Sequence, residues 1–380
     1  MNLSEPSLWK QIQYEGKPII DLHAHPSLKA TLFKRVLTSR YAASRTFNPF
    51  SVRTDFNKLE QGGIDVLLST IYAPEEEILD DCIYLKILGY LMPFTYHKLF
   101  SHSHFDVTIE MMNIMEAQVQ RSPKVKMAKS ISELNEILAQ VNGRPIAIIH
   151  CIEGGHSLDG KLENLEMLHK RGVAYLILAH FYPNEVVHPV YPYPEFAQSF
   201  GCFEDTRDLT LGLTDFGKLV IEKMIDLGMI PDISHCTPHA RQQIYDIVGN
   251  RIPIIASHIG VYEINPSPYN LKDWEIRRIA ESGGLVGVIF MNYWLMPHET
   301  SQGLNFIART IDHIINTVGI EHVGIGTDFD GFTDPPDDVK DASKLPIVTR
   351  RLLAEGYTRE QVEKILGLNA LRVLREGWKS

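Results

Sequence analysis

Short apolar runs alternate with polar loops and amphipathic segments along almost the whole chain. Eight of these runs are rich in Ile, Val, Leu and Ala through their middles, which is typical of parallel strands buried on both faces. The pattern predicts strands over residues 18–25, 64–72, 144–153, 173–180, 229–235, 252–258, 284–291 and 322–328.

Amphipathic helical patterns separate the predicted strands. The clearest helix covers 215–227, with Thr214 as its N-cap, and similar patterns cover 270–282 and 304–318. Strands that alternate with helices in this way favour a closed (β/α)8 TIM barrel over an open sheet. The chain has 380 residues and shows no repeat or low-complexity linker, so we predict a single domain over 1–380.

Two connections exceed an ordinary loop. Residues 73–143 lie between the second and third predicted strands and must contain extra helices. Residues 181–213 follow the fourth strand and include FYPNEVVHPVYPYPEF, whose prolines forbid a helix. Loops of this length are often lids or binding loops, and a packed surface excursion is the alternative.

Side chains that bind metals or transfer protons fall at the C-terminal ends of the predicted strands. They are His23 and His25 on strand 1, Glu153 on strand 3, His180 on strand 4, His235 on strand 5, His258 on strand 6, and Asp328 and Asp330 on strand 8. The C-terminal ends of all barrel strands meet on one face, where active sites lie. The sequence therefore predicts a metal centre there.

The number of ligands suits two divalent ions. His23 and His25 are two residues apart on a strand and face the same side, so both rings can hold one ion. His235 and His258 would hold the second ion, and Glu153 would bridge the two. Neutral imidazole and carboxylate suit zinc, with iron or manganese as alternatives.

Two such ions could hold a bridging hydroxide and polarise a carbonyl group together. Asp328 is then placed to take a proton from that water and pass it to a leaving amine. His180 could donate to the developing oxyanion. The predicted reaction is the hydrolysis of an amide or a related bond.

Other sites are less well supported. A lone histidine usually packs through hydrogen bonds, and we interpret the following in that way: His156, His169, His239, His298 and His313. A nucleophilic Cys151 or Cys236 is disfavoured because neighbours on a strand point to opposite faces. The sequence has no G-x-S-x-G and no phosphate-binding glycine motif after a strand.

Composition and charge limit the binding partners and the cellular compartment that we expect. The net charge of -10 argues against nucleic acid, and the absence of a basic cluster argues against an anionic membrane surface. There is no run of about 18 apolar residues, so no transmembrane helix is expected. The four cysteines lack CxxC spacing and predict no disulfide framework, so we expect a reducing cytoplasm.

Several motifs together resemble the membrane (renal) dipeptidases, the M19-like peptidases of the amidohydrolase superfamily. They are DLHAHPS, IEGG, GVAYLILAH, GLTDFGKLVIEKMIDLGMIPDISH, IIASH, GGLVGVIFMNYWL and GIGTDFDG. The resemblance implies a (β/α)8 barrel, a binuclear zinc site, hydrolysis of dipeptides and a homodimer.

By motif match, the resemblance also assigns roles to single residues. His23 takes the first ligand position, Glu153 the bridge, and His235 with His258 the second ion. It makes Asp328 the catalytic acid/base and His180 the residue that contacts the substrate carbonyl.

Two positions depart from the family pattern. His25 stands where the family usually has Asp, so the site loses one negative charge. Tyr269 stands where relatives have the arginine that would clamp a substrate carboxylate. Tyr269 is therefore the candidate substrate-binding residue at that position, and we expect poor activity on dipeptides with a free carboxylate.

Two other functions fit the same residues. The first is another amidohydrolase activity, on a lactone, a cyclic amide, an N-acyl amino acid or a phosphoester. The second is a non-catalytic metal-binding barrel. The full ligand set argues against the second, because a structural site needs neither an open rim nor Asp328.

Overall fold

Nine strands form the sheet in a computed structural model of the chain, which describes residues 6–44, 48–140, 143–191, 207–296 and 303–380. They are β1 (Ile20–Ala24), β2 (Val66–Ile71), β3 (Val125–Met127), β4 (Ile146–Glu153), β5 (Tyr175–Ile177), β6 (Ile230–Asp232), β7 (Ile255–Ile259), β8 (Leu285–Ile289) and β9 (Val323–Gly326). Every pairing between them is parallel.

Eight of these strands close on themselves. β1 pairs with β2 on one side and β9 on the other, β2 pairs with β4, and the order runs from β4 through β8 to β9. The predicted eight-stranded barrel is thus confirmed. β3 was not predicted; it is three residues long, with only Val125 buried, and it lies against the start of β4.

The described helices surround the strands and fill the long connections. They are α1 (Pro6–Glu15), α2 (Pro26–Phe33), α3 (Phe56–Gln61), α4 (Ile78–Asp81), α5 (Ile83–Leu91), α6 (Pro93–Phe100), α7 (His104–Val119), α8 (Ile131–Leu138), α9 (Leu162–Lys170), α10 (Asp215–Leu227), α11 (Pro238–Val248), α12 (Asp273–Glu281), α13 (Asn292–Leu295), α14 (Gly303–Val318), α15 (Leu345–Ala354), α16 (Arg359–Glu363) and α17 (Asn369–Gly377).

The predicted helices are present. The helix over 215–227 is α10, and the Thr214 hydroxyl caps it by accepting from the Gly217 N–H at 2.9 Å. The helix predicted over 270–282 begins later, at Asp273, because the Leu271 N–H donates to the Gly260 carbonyl at the end of β7.

The two long connections differ in how much the structure describes. Residues 73–143 contain α4 to α8, as predicted. Of 181–213, residues 192–206 lie outside the described part of the chain, so the lid interpretation stays a prediction. The described flanks are pinned by isolated bridges, Val187 to Leu213 and Pro189 to Cys236.

Alternate strand residues pack together with the C-terminal helix. Ile20, Leu22 and Val66 share one buried cluster with Leu374 of α17 and the following Trp378. α17 therefore ties the end of the chain to the first strands of the barrel.

The described cysteines match the expectation of free thiols at two positions and differ from it at a third. Cys151 and Cys236 are free and buried, as predicted. Cys82 is disulfide-bonded, so the expectation of no disulfide is wrong there. Sequence spacing could not show this, because a disulfide depends on which cysteines the folded chain brings together. No helix in the described ranges is long and apolar enough to cross a membrane.

Candidate metal centre

The ends of β1, β4 and β7, with the segment after β6, bring the five predicted ligands together. Nε2 of His23 lies 2.9 Å from Nε2 of His25, and Nε2 of His235 lies 3.0 Å from Nε2 of His258. All four rings are buried. The two histidine pairs expected from the sequence are therefore present.

Glu153 lies at the centre of the four histidines. Its Oε2 is 3.2 Å from Nε2 of His25. Its Oε1 is 3.3 Å from Nε2 of His235, 3.5 Å from Nε2 of His258 and 3.7 Å from Nε2 of His23. Oε2 thus faces His25, and Oε1 faces His235 and His258 with His23 further away, so the carboxylate lies between the two histidine pairs, where a bridging ligand would lie.

The donor set fits a divalent cation. Oε1 of Glu153 is buried and has no hydrogen-bond partner among the described residues, although three imidazole nitrogens surround it. A buried, unpaired carboxylate oxygen is costly unless a cation meets it. Burial alone would raise the pKa of Glu153, but the surrounding histidines, His180 first, hold it well below its usual range.

His23 and His258 present lone pairs to the site. Burial lowers the pKa of His23 and of His258 well below the ordinary value, so both rings are neutral. The Tyr175 hydroxyl donates to the Leu22 carbonyl at 2.8 Å, so its oxygen can accept from Nδ1 of His23 at 3.0 Å. That hydrogen on Nδ1 leaves Nε2 bare, which is the form that a metal ligand requires.

His258 is oriented in a similar way. Its Nδ1 lies 2.9 Å from the Ser257 hydroxyl oxygen. The Ser257 side chain also bonds to Asp232, and Asp232 accepts from the Ser257 backbone N–H. A serine that donates to Asp232 can accept the Nδ1 hydrogen of His258.

Asp328 lies beside the first histidine pair. Its Oδ1 is 3.5 Å from Nε2 of His25 and 3.8 Å from Nε2 of His23. Burial raises the pKa of Asp328 to about 6, against the opposing effect of His25. His235 and Asp328 both have left-handed backbones, with φ of 65° and 55°. Such conformations cluster at functional sites, where they direct side chains that regular strands could not.

Asp330, two residues further on, has a structural role. Its two oxygens accept from the backbone N–H groups of Arg53 at 2.8 Å and Thr54 at 3.0 Å, and from the Thr54 hydroxyl. These contacts join the end of β9 to the segment before α3, so Asp330 is not aimed at the ligands.

His180 meets the centre from the end of β5. Its Nε2 is 3.7 Å from Oε2 of Glu153, and its Nδ1 is 3.3 Å from Oε1 of Glu75. His180 also belongs to a group of potential ligands with Glu153 and His235.

Tyr269 is buried at the edge of the centre. Its ring lies 5.2 Å from that of His235 and stacks on Trp294 at 4.3 Å. Its hydroxyl donates to the His258 carbonyl at 2.9 Å. The stacked rings of Tyr269 and Trp294 therefore occupy the position where the family pattern would place an arginine.

Sequence reasoning missed the residues that surround the ligands, above all Glu75, Tyr175 and Ser257. Glu75 lies three residues beyond the end of the second predicted strand. Of these residues, it is the one that a search for carboxylates near strand ends could have found.

Of the histidines predicted to pack, His298 lies outside the described residues. His156 lies near the site and bonds to the Ala73 carbonyl at 2.8 Å. His313 bonds to Asp273 at 2.7 Å in a separate, more exposed group with Glu263. His169 and His239 belong to none of the described groups of potential ligands.

The family model for membrane dipeptidases, peptidase family M19, matches residues 10–378. Dipeptidase ataJ of Aspergillus terreus is 28% identical over 376 residues, which span 94% of this chain and 84% of the relative. Dipeptidase 3 of Mus musculus is 27% identical over 270 residues, which span 71% of this chain and 51% of the relative.

Solved structures share the fold. The probable dipeptidase PvdM from Pseudomonas aeruginosa has a TM-score of 0.76 at 21% identity, covering 98% of this chain and 99% of its own. A metallo peptidase from Rhodobacter sphaeroides, liganded with a phosphinate mimic of the dipeptide L-Ala-D-Ala, has a TM-score of 0.75 at 21% identity, covering 95% of this chain and 99% of its own.

Proposed function

Because the chain belongs to the membrane dipeptidase family, peptidase family M19, we propose that it is a divalent-metal-dependent hydrolase that cleaves the amide bond of dipeptides or related small amides. The observation that carries this proposal is the position of Glu153. Its carboxylate lies between the two histidine pairs, with Oε2 nearest to His25 and Oε1 nearest to His235, and Oε1 has no hydrogen-bond partner in the described part of the chain.

We propose two ions per chain, most simply zinc. His23 and His25 would hold one, His235 and His258 the other, and Glu153 both. Neutral imidazoles with a carboxylate suit zinc, and iron or manganese use similar ligands. Divalent ions bound there would polarise the scissile carbonyl and lower the pKa of a water.

The protein's own groups would orient the substrate and move protons. Asp328 lies on the His25 side of the site, where a carboxylate can accept a proton and return it to the leaving amine. His180 lies near Oε2 of Glu153 and would contact the substrate. All these groups are buried, and exclusion of water strengthens electrostatic interactions between them.

The substrate is proposed to lack a strongly bound free carboxylate. The Tyr269 hydroxyl donates to the His258 carbonyl, and its ring stacks on Trp294. This arrangement supplies an apolar wall and no cation, which favours an amide, ester or N-acyl substrate over an ordinary dipeptide. Tyr269 remains the proposed contact for this end of the substrate.

A cytoplasmic location and a homodimer complete the proposal. The homodimer is supported only by the family, and the location by the two free cysteines, against which the disulfide of Cys82 weighs. Light scattering during gel filtration tests the homodimer, and thiol labelling of Cys82 in cells tests the cytoplasmic location.

The activity is tested on protein stripped of metal and then reconstituted with zinc, iron or manganese. A panel of dipeptides, dipeptide amides, N-acyl amino acids, lactones and phosphoesters is assayed with each preparation. Metal-dependent hydrolysis of amides is expected. Hydrolysis confined to lactones or phosphoesters would assign another amidohydrolase activity, and inertness towards all of them would indicate a non-catalytic barrel.

A further inference from the structure

A second buried carboxylate, Glu75, lies next to the metal centre but outside the ligand set. It follows β2 and is 3% exposed. Its Oε1 accepts from the Phe181 backbone N–H at 3.1 Å, and its Oε2 accepts from the Tyr72 hydroxyl. Both partners are donors, so Glu75 is held as a hydrogen-bond acceptor on both oxygens.

The same Oε1 lies 3.3 Å from Nδ1 of His180. Two acceptors that face each other repel, so the contact with an accepting oxygen requires a hydrogen on Nδ1. The ring has little freedom to turn away, because it stacks on Phe181 at 3.8 Å and contacts Tyr72 at 4.1 Å between ring centroids. Its Nε2 therefore stays directed towards Oε2 of Glu153 at 3.7 Å, beyond hydrogen-bond distance, so this second contact requires no hydrogen on Nε2.

The segment that carries Glu75 is itself held in place by His156. Nε2 of His156 lies 2.8 Å from the Ala73 carbonyl, and its Nδ1 is 3.8 Å from Oε1 of Glu75. Gly154 makes room for this ring: its φ is 99°, and a Cβ there would lie 2.0 Å from Cε1 of His156. The glycine after Glu153 thus helps to fix the position of Glu75.

We propose that Glu75 is a positioning residue that keeps the hydrogen of His180 on Nδ1, so that Nε2 meets the site as an acceptor. A neutral imidazole carries one hydrogen, and donation from Nε2 to an oxyanion would need a second. His180 then accepts from an N–H group of the substrate, such as a free amino group, and does not donate to its carbonyl oxygen. This substrate contact rests on the proposed amide hydrolysis, whereas the position of the hydrogen does not.

The hydrogen position is measured by nitrogen NMR on zinc-reconstituted protein labelled at histidine. The chain has 16 histidines, so the His180 signals are assigned by their loss in His180→Gln. We expect a protonated Nδ1 and a bare Nε2. A bare Nδ1, or hydrogens on both nitrogens, would overturn the proposal even if the enzyme hydrolyses dipeptides.

Variants then separate positioning from packing. Glu75→Gln keeps an amide oxygen for Phe181 and His180, so it should retain the Nδ1 hydrogen. Glu75→Met removes the acceptor at similar volume and should shift the hydrogen to Nε2, lowering kcat/KM by about 10–100-fold, the usual effect of removing a residue that orients a site histidine. Zinc content should stay unchanged.

Tyr72→Phe is the matched control. It removes the donor to the other oxygen of Glu75 and keeps the ring against His180, so tautomer and turnover should stay close to wild type. Retention of the Nδ1 hydrogen and of full turnover in a folded Glu75→Met variant would contradict the proposal. If that variant fails to fold, the wild-type spectrum decides alone.

Discussion

Nε2 of His23 and Nε2 of His25 lie 2.9 Å apart, closer than two lone pairs would remain without a hydrogen or a cation between them. We therefore predict that His25 replaces the usual aspartate as a working ligand and that each chain binds two divalent ions. Elemental analysis of protein purified without chelator should give a metal-to-chain ratio near two. A ratio near one would mean that the lost negative charge has cost the first site, and a ratio near zero after reconstitution would refute the metal centre.

Glu153→Gln should weaken both ions, whereas His235→Ala should mainly empty the second. Glu153 is the one proposed ligand that would touch both ions, and loss of its charge would leave their mutual repulsion less compensated. Metal titration by calorimetry measures both affinities. If Glu153→Gln binds two ions as tightly as the wild type, the carboxylate does not bridge.

Asp328→Asn should keep its metal and lose turnover by about 10²–10⁴-fold, since an amide cannot accept and return a proton. Asp330→Asn is the matched control, because its carboxylate serves the Arg53 and Thr54 N–H groups instead. The control should lower the free energy of unfolding by about 1–3 kcal/mol and affect kcat much less. Denaturant unfolding and steady-state kinetics on both variants separate the roles. Near-normal turnover in Asp328→Asn would assign that residue a supporting role.

The wild type should hydrolyse blocked dipeptides better than the same dipeptides with free carboxylates. Tyr269 in place of a bidentate arginine can cost roughly 2–5 kcal/mol, a factor of about 30 to several thousand in specificity. Tyr269→Arg should shift the ratio of kcat/KM towards the free dipeptides. Tyr269→Phe, which keeps the stacking on Trp294 and loses the bond to His258, should leave that ratio unchanged. Efficient turnover of free dipeptides by the wild type would remove the basis for this prediction.

The barrel and the cluster of candidate ligands could be predicted because both follow local rules. Buried parallel strands have continuous apolar middles, and a barrel gathers their C-terminal ends on one face. His23, Glu153 and His258 occupy such ends, so the order of the strands was enough to bring them together. The candidate ligand His235 lies beyond the end of β6, yet close enough to that strand end to be found in the same way.

The surrounding residues could not be predicted because their roles depend on contacts across the fold. Asp328 and Asp330 are two residues apart and both have a positive φ, yet one faces the histidines and the other binds the Arg53 segment. Glu75 acquires its partner only because β2 and β5 present their loops to the same space. Contacts between distant loops leave no periodic pattern in the sequence from which they could be predicted.

The contact between the two ends of the barrel has a consequence for how the protein is made. Backbone bonds join Asp328 N–H to the His23 carbonyl at 2.9 Å and His25 N–H to the Phe329 carbonyl at 2.8 Å. The first ligands therefore leave the ribosome some three hundred residues before the strand that completes their site. Because the backbones of His23 and His25 are held by the segment after β9, the centre should take its final shape only once the last barrel strand has emerged, so ion loading should be a late event of biosynthesis. Chains that stop before β9 should emerge as metal-poor, open sheets with the unpaired edges of β1 and β8 exposed to aggregation.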